Sequence, residues 1–325
     1  MKLLVFEYAT TEKNQESLSV EGYNILKSVI EDLDNIDIDT TYIISNTFTP
    51  IKTKNIKKII LNKPLYSWLK ENLIYYDTCL FVAPSENNIQ YNLTKFIEKY
   101  NITILGSSSH ASYITSNKSK TYQLLNSKKK YKIPLYEINN LNHTKIKNKK
   151  VMVLKPNTGT STTETYLIKN EKEYNKIIKH YEDINITSYI LQEYISGINL
   201  SVSILVNNEN SYPICLNMQK IEIINNKFKY NGCITPYEHK LKEKIFEISK
   251  DIVNEIPFLK GFIGLDFIIT PNDIIYLIEI NSRITTPYII IHKLSNVNLI
   301  KQIIKVVENK IPEKICLNGK KEFNK

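Results

Sequence analysis

The chain of 325 residues is poor in arginine, glycine and tryptophan. Of its 43 basic residues only Arg283 is an arginine, the rest being lysine, and it has 8 glycines and one tryptophan. Four cysteines, Cys79, Cys215, Cys233 and Cys316, lie far apart and form no CxxC. That spacing argues against a zinc site or a disulfide framework and suits a reducing compartment. No apolar run approaches the ~20 residues of a membrane span. The apolar start, residues 3–6, is far too short for a signal peptide. A cytoplasmic protein with no membrane partner is expected. The five histidines (110, 143, 180, 239 and 292) are scattered, so no cysteine or hydroxyl acquires an evident base and no covalent nucleophile stands out.

What is abundant is lysine, isoleucine, asparagine and tyrosine. The net charge of +10 would suggest nucleic acid if it were gathered on one face. The lysines are instead spread along the chain. Their densest patch, Lys128-Lys129-Lys130 with Lys132, lacks the interleaved aromatics of an RNA module, and no nucleic-acid partner is expected. The 42% hydrophobic content supports ordinary globular cores, and the length suggests two or three lobes.

Strand-like runs at 2–6, 41–44, 57–61, 78–83 and 102–105 alternate with helical stretches at 16–33, 64–75 and 87–100. This predicts an α/β domain with a parallel, Rossmann-like sheet over 1–107. Ser107-Ser108-Ser109 reads as a helix cap, and a further helix starts near Lys118. A central lobe is expected over 108–198, with strands at 151–155, 164–168 and 189–193 and a helix at 171–181. A C-terminal lobe of α+β character is expected over 199–315, with strands at 200–206, 212–235, 263–270 and 274–280 and helices at 239–256 and 297–309. The tail, 316–325, reads as frayed.

The chemistry concentrates late in the chain. Pro271-Asn272-Asp273 is a turn, so 264–281 folds as a hairpin. Folded about that turn, Asp266 lies opposite or close to Glu279. Like charges at opposed positions repel, and every residue flanking these two is apolar. A divalent cation resolves the conflict. Asn281, two residues past Glu279, points to the same face and adds an amide oxygen. Asp266, Glu279 and Asn281 form a hard-oxygen set suited to Mg²⁺, with phosphate oxygens completing the shell. Arg283 stands beside them, and only arginine offers a planar fork to grip two oxygens at once. Upstream, Lys155 ends a strand and precedes Pro156 and a loop of small hydroxyl residues around Gly159, a possible phosphate cradle. Lys118, at a helix start, is a second candidate anion ligand.

These features, in this order, resemble the ATP-grasp family: a lysine opening a helix, strand-Lys155-Pro156-loop, Gln192-Glu193-Tyr194-Ile195-Ser196-Gly197, then Asp266 and Glu279-Ile280-Asn281-Ser282-Arg283. The resemblance covers about residues 107–305. It implies the ATP-grasp fold, with ATP and Mg²⁺ (or Mn²⁺) as cofactors. It further implies that Lys118 and Lys155 contact ATP phosphates and that the loop with Thr158, Gly159, Thr160 and Ser161 folds over them. Gln192, Glu193, Tyr194 and Ile195 would bind adenine, largely through backbone, and Asn199 the ribose. Asp266, Glu279 and Asn281 would hold the metal. Arg283 and Lys155 would be catalytic. Within the family the likeness is to the subgroup joining tyramine to L-glutamate in methanofuran biosynthesis. It rests on Arg283-Ile284-Thr285-Thr286-Pro287-Tyr288 and on Asn217-Met218-Gln219 through Tyr230-Asn231-Gly232, and it places Gln219, Arg283, Thr285 and Thr286 at the substrate. The reading is thus of an ATP-dependent carboxylate–amine ligase working through an acyl phosphate on small-molecule substrates. Two alternatives stay open: the same chemistry on another carboxylate or amine, and a non-catalytic nucleotide-binding or nucleic-acid-binding module. Oligomeric state is also open, a homodimer included. The sequence departs from the family pattern at Asn117, Ser282 and Ile198, and its phosphate loop has a single glycine.

Overall fold

The computed structural model describes residues 1–12, 16–126, 132–138, 150–160 and 162–325. The lysine patch at 128–130 and the candidate phosphate ligand Ser161 lie outside these. β1 (Lys2–Glu7) is buried throughout after its first residue. Alternate side chains leave it on opposite faces. Leu3 and Val5 pack toward Ile25, Ile30 and the C-terminal helix Leu299–Val307, whereas Leu4 and Phe6 pack toward Leu65, Trp68 and Leu93. β2 (Asp39–Ser45), β3 (Lys57–Leu61), β4 (Thr78–Val82) and β5 (Thr103–Ile104) complete a parallel sheet in the order β3-β2-β1-β4-β5. The chain therefore reverses its direction of travel across the sheet between β1 and β4. Such switch points open a crevice at the carboxyl ends of the strands. Glu7 and Val82, paired in register, mark that end here.

The second sheet contains ten strands among the described residues. β6 (Tyr136–Ile138), β7 (Met152–Pro156), β8 (Tyr166–Ile168) and β9 (Tyr189–Glu193) run antiparallel in the order β8-β7-β9-β6, backed by the helix Glu171–Asp183. β10 (Ile198–Val206), β11 (Ser211–Ile224), β12 (Lys227–Thr235), β13 (Gly261–Ile269) and β14 (Ile275–Asn281) form the other part, in the order β14-β13-β10-β11-β12. β10 and β13 share nine register pairs, from Ile198↔Ile269 to Val206↔Gly261. Asn225 and Asn226 turn β11 into β12 with φ of 50° and 64°, the left-handed geometry that a tight hairpin requires.

The two parts of this sheet meet at one register pair, Tyr166↔Lys227. Flanking backbone bonds run from Leu167 N to Asn226 O (2.7 Å) and from Phe228 N to Thr165 O (2.9 Å). Glu164 fastens the seam, taking Lys227 Nζ at 2.8 Å on one oxygen and His180 Nε2 at 2.8 Å on the other.

Two local expectations are corrected. The tail is not wholly frayed: β15 (Lys321–Asn324) pairs with β12 from Gly232↔Asn324 to Thr235↔Lys321. This docking requires Gly232, which has φ +119° and where a Cβ would collide with the Phe323 carbonyl. An additional helix, Tyr288–Leu294, occupies a stretch with no sequence assignment. It is buried on nearly every side, so its consecutive isoleucines show no amphipathic period. Among the described residues no helix is long and apolar enough to cross a membrane.

Candidate active site

Asp266 on β13 and Glu279 on β14 are register partners, and a bulge follows between Asp266 and Phe267. Their neighbours in the strands are core residues (Leu265, Phe267, Ile280), so both acids are drawn into a buried setting by the strands that carry them. Gln219 Nε2 on β11 donates to Asp266 Oδ1 at 3.0 Å, and Asn281 Nδ2 lies 3.4 Å from Asp266 Oδ2. Lys118 Nζ sits 3.3 Å from Glu279 Oε2, with both side chains buried. Burial pushes the Asp266 carboxyl up to about 7, and the charge of Glu279 pushes the same way, against the Gln219 hydrogen bond and Arg283. Burial brings the Lys155 ammonium down to about 7, with Lys118 adding to the effect and Glu279 and Asp266 opposing it.

This arrangement fits a divalent cation. Among the described residues no three His, Cys, Asp or Glu side chains gather. The donors are two carboxylates and, once the Asn281 amide turns its oxygen from Arg283 toward them, an amide oxygen, all hard ligands for an ion that takes its remaining ligands from substrate and water. Burial and the neighbouring Glu279 both penalise a charge on Asp266, and a bound cation relieves both.

Lys155 lies on β7, buried, and Asn157 anchors the loop that follows. Asn157 O accepts from Lys118 N (3.0 Å), Oδ1 accepts from Ser119 N (2.9 Å), and Nδ2 donates to the Ser119 and Ser188 hydroxyls (3.1 Å each). One asparagine thus ties the loop to the first turn of the helix Lys118–Asn126 and brings the two lysines together. Gly159 O accepts from Lys118 Nζ at 3.3 Å. Two threonines latch the loop elsewhere. Thr160 Oγ1 accepts from Ser85 N, just past β4 at the switch-point crevice, and Thr162 Oγ1 accepts from Tyr230 N on β12, both at 3.0 Å.

A cavity of about 300 Å³ runs between the lobes. Its walls include Lys155, Thr160, Gln192, Glu193, Tyr194, Ile195 and Asn199 from the nucleotide candidates, Asp266, Glu279 and Asn281 from the metal candidates, and Gln219, Arg283, Thr285 and Thr286 from the substrate candidates. Lys118 and Gly159 reach the cluster through the bonds above without lining the cavity, and Thr158 is in the loop but off the wall. The amides of Glu193 and Tyr194 are already committed, to Leu135 O (2.7 Å) and Val151 O (3.2 Å), so they have no N–H to spare for a base. Gln192 Nε2 is committed to the Tyr122 hydroxyl at 3.1 Å.

Arg283 Nη2 lies 3.4 Å from Asn281 Oδ1 and Nη1 3.2 Å from Ile284 O, while the buried Nε has no partner among the described residues. Its neighbour Ser282 is locked by Gln90 Nε2 (2.9 Å to the carbonyl, 3.0 Å to the hydroxyl) and by Thr115 Oγ1 at 2.8 Å. Gly264 leaves room for Thr285, whose Cγ2 would be 2.7 Å from a Cβ there. Sequence reasoning missed Glu21. It lines the cavity from the N-terminal domain and accepts a hydrogen bond from the Thr286 hydroxyl. Nothing in its sequence neighbourhood separates it from a surface acid on an amphipathic helix.

The family signature of an ATP-grasp domain matches residues 115–287. The chain is 32% identical over 293 residues to tyramine–L-glutamate ligase of Methanocaldococcus jannaschii, covering 87% of this chain and 82% of that one. It resembles the crystal structure of an ATP-grasp superfamily protein from Archaeoglobus fulgidus (27% identity, TM-score 0.71, 97% and 90% of the two chains). It shares its fold with a biotin carboxylase–β,γ-ATP complex from Campylobacter jejuni (17% identity, TM-score 0.75, 98% and 74%). With a signature spanning more than half of its length and a full-length relative at this identity, the chain belongs to the ATP-grasp family.

Proposed function

We propose that this protein is an ATP-dependent carboxylate–amine ligase that joins the side-chain carboxylate of L-glutamate to the amine of tyramine. ATP-grasp ligases generally activate a carboxylate as an acyl phosphate, whose acyl carbon an amine then attacks, forming the amide and releasing phosphate. The observation that carries the reading is the register pairing of Asp266 with Glu279 in a cavity that also holds Lys155 and Arg283. The choice of substrates is supported by the similarity to tyramine–L-glutamate ligases.

In this reading Lys118 and Lys155 hold the ATP phosphates as point charges. Ile195 offers the amide that reads the adenine edge, since those of Glu193 and Tyr194 are spent within the protein, and Asn199 contacts the ribose. Asp266, Glu279 and Asn281 would hold Mg²⁺ or Mn²⁺, which would supply positive charge against the phosphate oxygens. Arg283 turns its uncommitted donors to the phosphoryl group in transit, where preorganised charge is worth most. Thr160 and Thr162 keep the loop closed and exclude water. Gln219, Thr285 and Thr286 line the carboxylate side. No side chain forms a covalent intermediate, so the protein's contribution is positioning and charge balance.

The test is phosphate release with ATP and Mg²⁺ against a matrix of carboxylates and amines, with products identified by mass. Release and a glutamyl-tyramine amide should appear only when L-glutamate and tyramine are both present. Robust turnover of another pair, with none of this one, would replace the substrate assignment while keeping the ligase chemistry. Nucleotide binding with no turnover of any pair would sink the ligase reading itself.

A further inference from the structure

Glu21 belongs to the helix Glu16–Leu33 of the N-terminal domain, yet its side chain forms part of the cavity wall. One carboxylate oxygen accepts from the Thr286 hydroxyl. The other receives the Lys325 ammonium at 2.8 Å. β15, zipped to β12, carries Lys325 to this place. A primary alkylammonium is therefore already seated on a carboxylate at the edge of the cavity. The ion pair keeps some solvent access on both sides, with side-chain exposures of 15% and 24%. An ion pair that water reaches is a modest source of stability, a weak reason for an acid at this position.

The surroundings supply a better reason. Arg283 lines the same cavity as Glu21. The wall thus holds a planar fork of donors as well as a carboxylate. Nearby, the Thr286 hydroxyl joins them as a small polar group. An α-amino acid brings to such an acid the same group that Lys325 now places there, an ammonium on a saturated carbon. A simple dicarboxylate has none and leaves Glu21 facing nothing but its internal lysine.

We propose that Glu21 is the ammonium-recognising residue of the substrate subsite, that Lys325 is an internal stand-in which the substrate displaces, and that the carboxylate substrate is accordingly an α-amino acid. This rests on the ligase reading of the same cavity and deepens it.

The experiment compares L-glutamate with glutarate, which differs only in lacking the α-ammonium. Binding is measured by calorimetry on enzyme saturated with a non-hydrolysable ATP analogue and Mg²⁺, so that turnover is not needed. Wild type should prefer L-glutamate by about tenfold or more, the worth of a charge-assisted hydrogen bond. Glu21→Gln, which keeps the shape and the Thr286 contact, should erase that preference by weakening L-glutamate relative to glutarate. Lys325→Met should tighten L-glutamate relative to glutarate. Persistence of the preference in a folded Glu21→Gln protein, or weaker L-glutamate binding relative to glutarate in Lys325→Met, would overturn the proposal. If wild type binds neither compound, the glutamate assignment falls on its own. The subsite is then judged on other α-amino acids against their desamino analogues, and absence of any ammonium preference dependent on Glu21 overturns it.

Discussion

The two sides of the cavity are built in opposite ways. On the side of the metal and phosphate candidates, Asp266, Glu279 and Asn281 share one hairpin, and Asn157, two residues past Lys155, accepts from Lys118 N with its backbone oxygen and from Ser119 N with its side chain. The substrate side is assembled across the molecule. Glu21 meets Thr286 over 265 positions and Lys325 over 304, and Gln90 reaches Ser282 over 192. The acids of the first side are set by the register of a single hairpin, whereas the contacts of the second form only once distant segments pack together.

Substitutions sharpen this contrast in a graded order. Glu279→Gln removes charge but little volume and should lower kcat by roughly 10²–10³-fold or more, with an unshifted thermal melt. Near-normal turnover by the folded variant at low Mg²⁺ would break the assignment of this side. Arg283→Lys keeps the charge but loses the fork, and about a hundredfold fall in kcat is expected with ATP affinity little changed. A variant that melts early yet turns over normally would show a structural arginine. Lys155→Ala should weaken ATP by about ten- to a hundredfold, as for loss of a hydrogen bond to a charged group, and calorimetry reads it directly.

The smallest effect is a proton count. Asp266 and Lys155 both titrate near 7 in the free protein. At about pH 6 Asp266 is largely protonated, so Mg–ATP binding should release a proton; at about pH 8 Lys155 is largely neutral, so binding should take one up. Calorimetry in buffers of different ionisation enthalpy should therefore show proton linkage that changes sign across neutrality. Glu21→Gln, on the other side of the cavity, should leave that crossover in place.

The same contrast explains what the sequence disclosed. The hairpin was legible because strand periodicity and a turn at Pro271-Asn272-Asp273 fix which residues oppose each other. Acids inside apolar strands also have few alternatives to a partner. The parallel sheet over residues 2–104 was legible from alternating apolar runs. Glu21 was not, because an acid on an amphipathic helix looks the same whether it faces solvent or a cavity formed by another domain. Asn157 was not, because the groups its amide and backbone bind, at Lys118, Ser119 and Ser188, are far from it in sequence. β15 was missed because Lys321-Glu322-Phe323-Asn324 has one apolar residue. Its strand character comes from the free edge of β12 and the glycine that admits it.

The seam at Tyr166 and Lys227 has a mechanical consequence. Prising the central lobe from the rest of the sheet there severs two backbone hydrogen bonds, the Thr162–Tyr230 and Glu173–Asn226 bonds and a solvent-reached carboxylate clasp at Glu164, whereas tearing β10 from β13 would undo nine register pairs. The molecule is a clamshell whose weak line is drawn in advance, with the nucleotide cavity inside the bite. Breathing will follow that line, and salt will loosen it by screening Glu164. The amides of Leu167 and Phe228 should accordingly exchange with deuterium well before those of β10, and a bound nucleotide, by holding the jaws together, should slow them most.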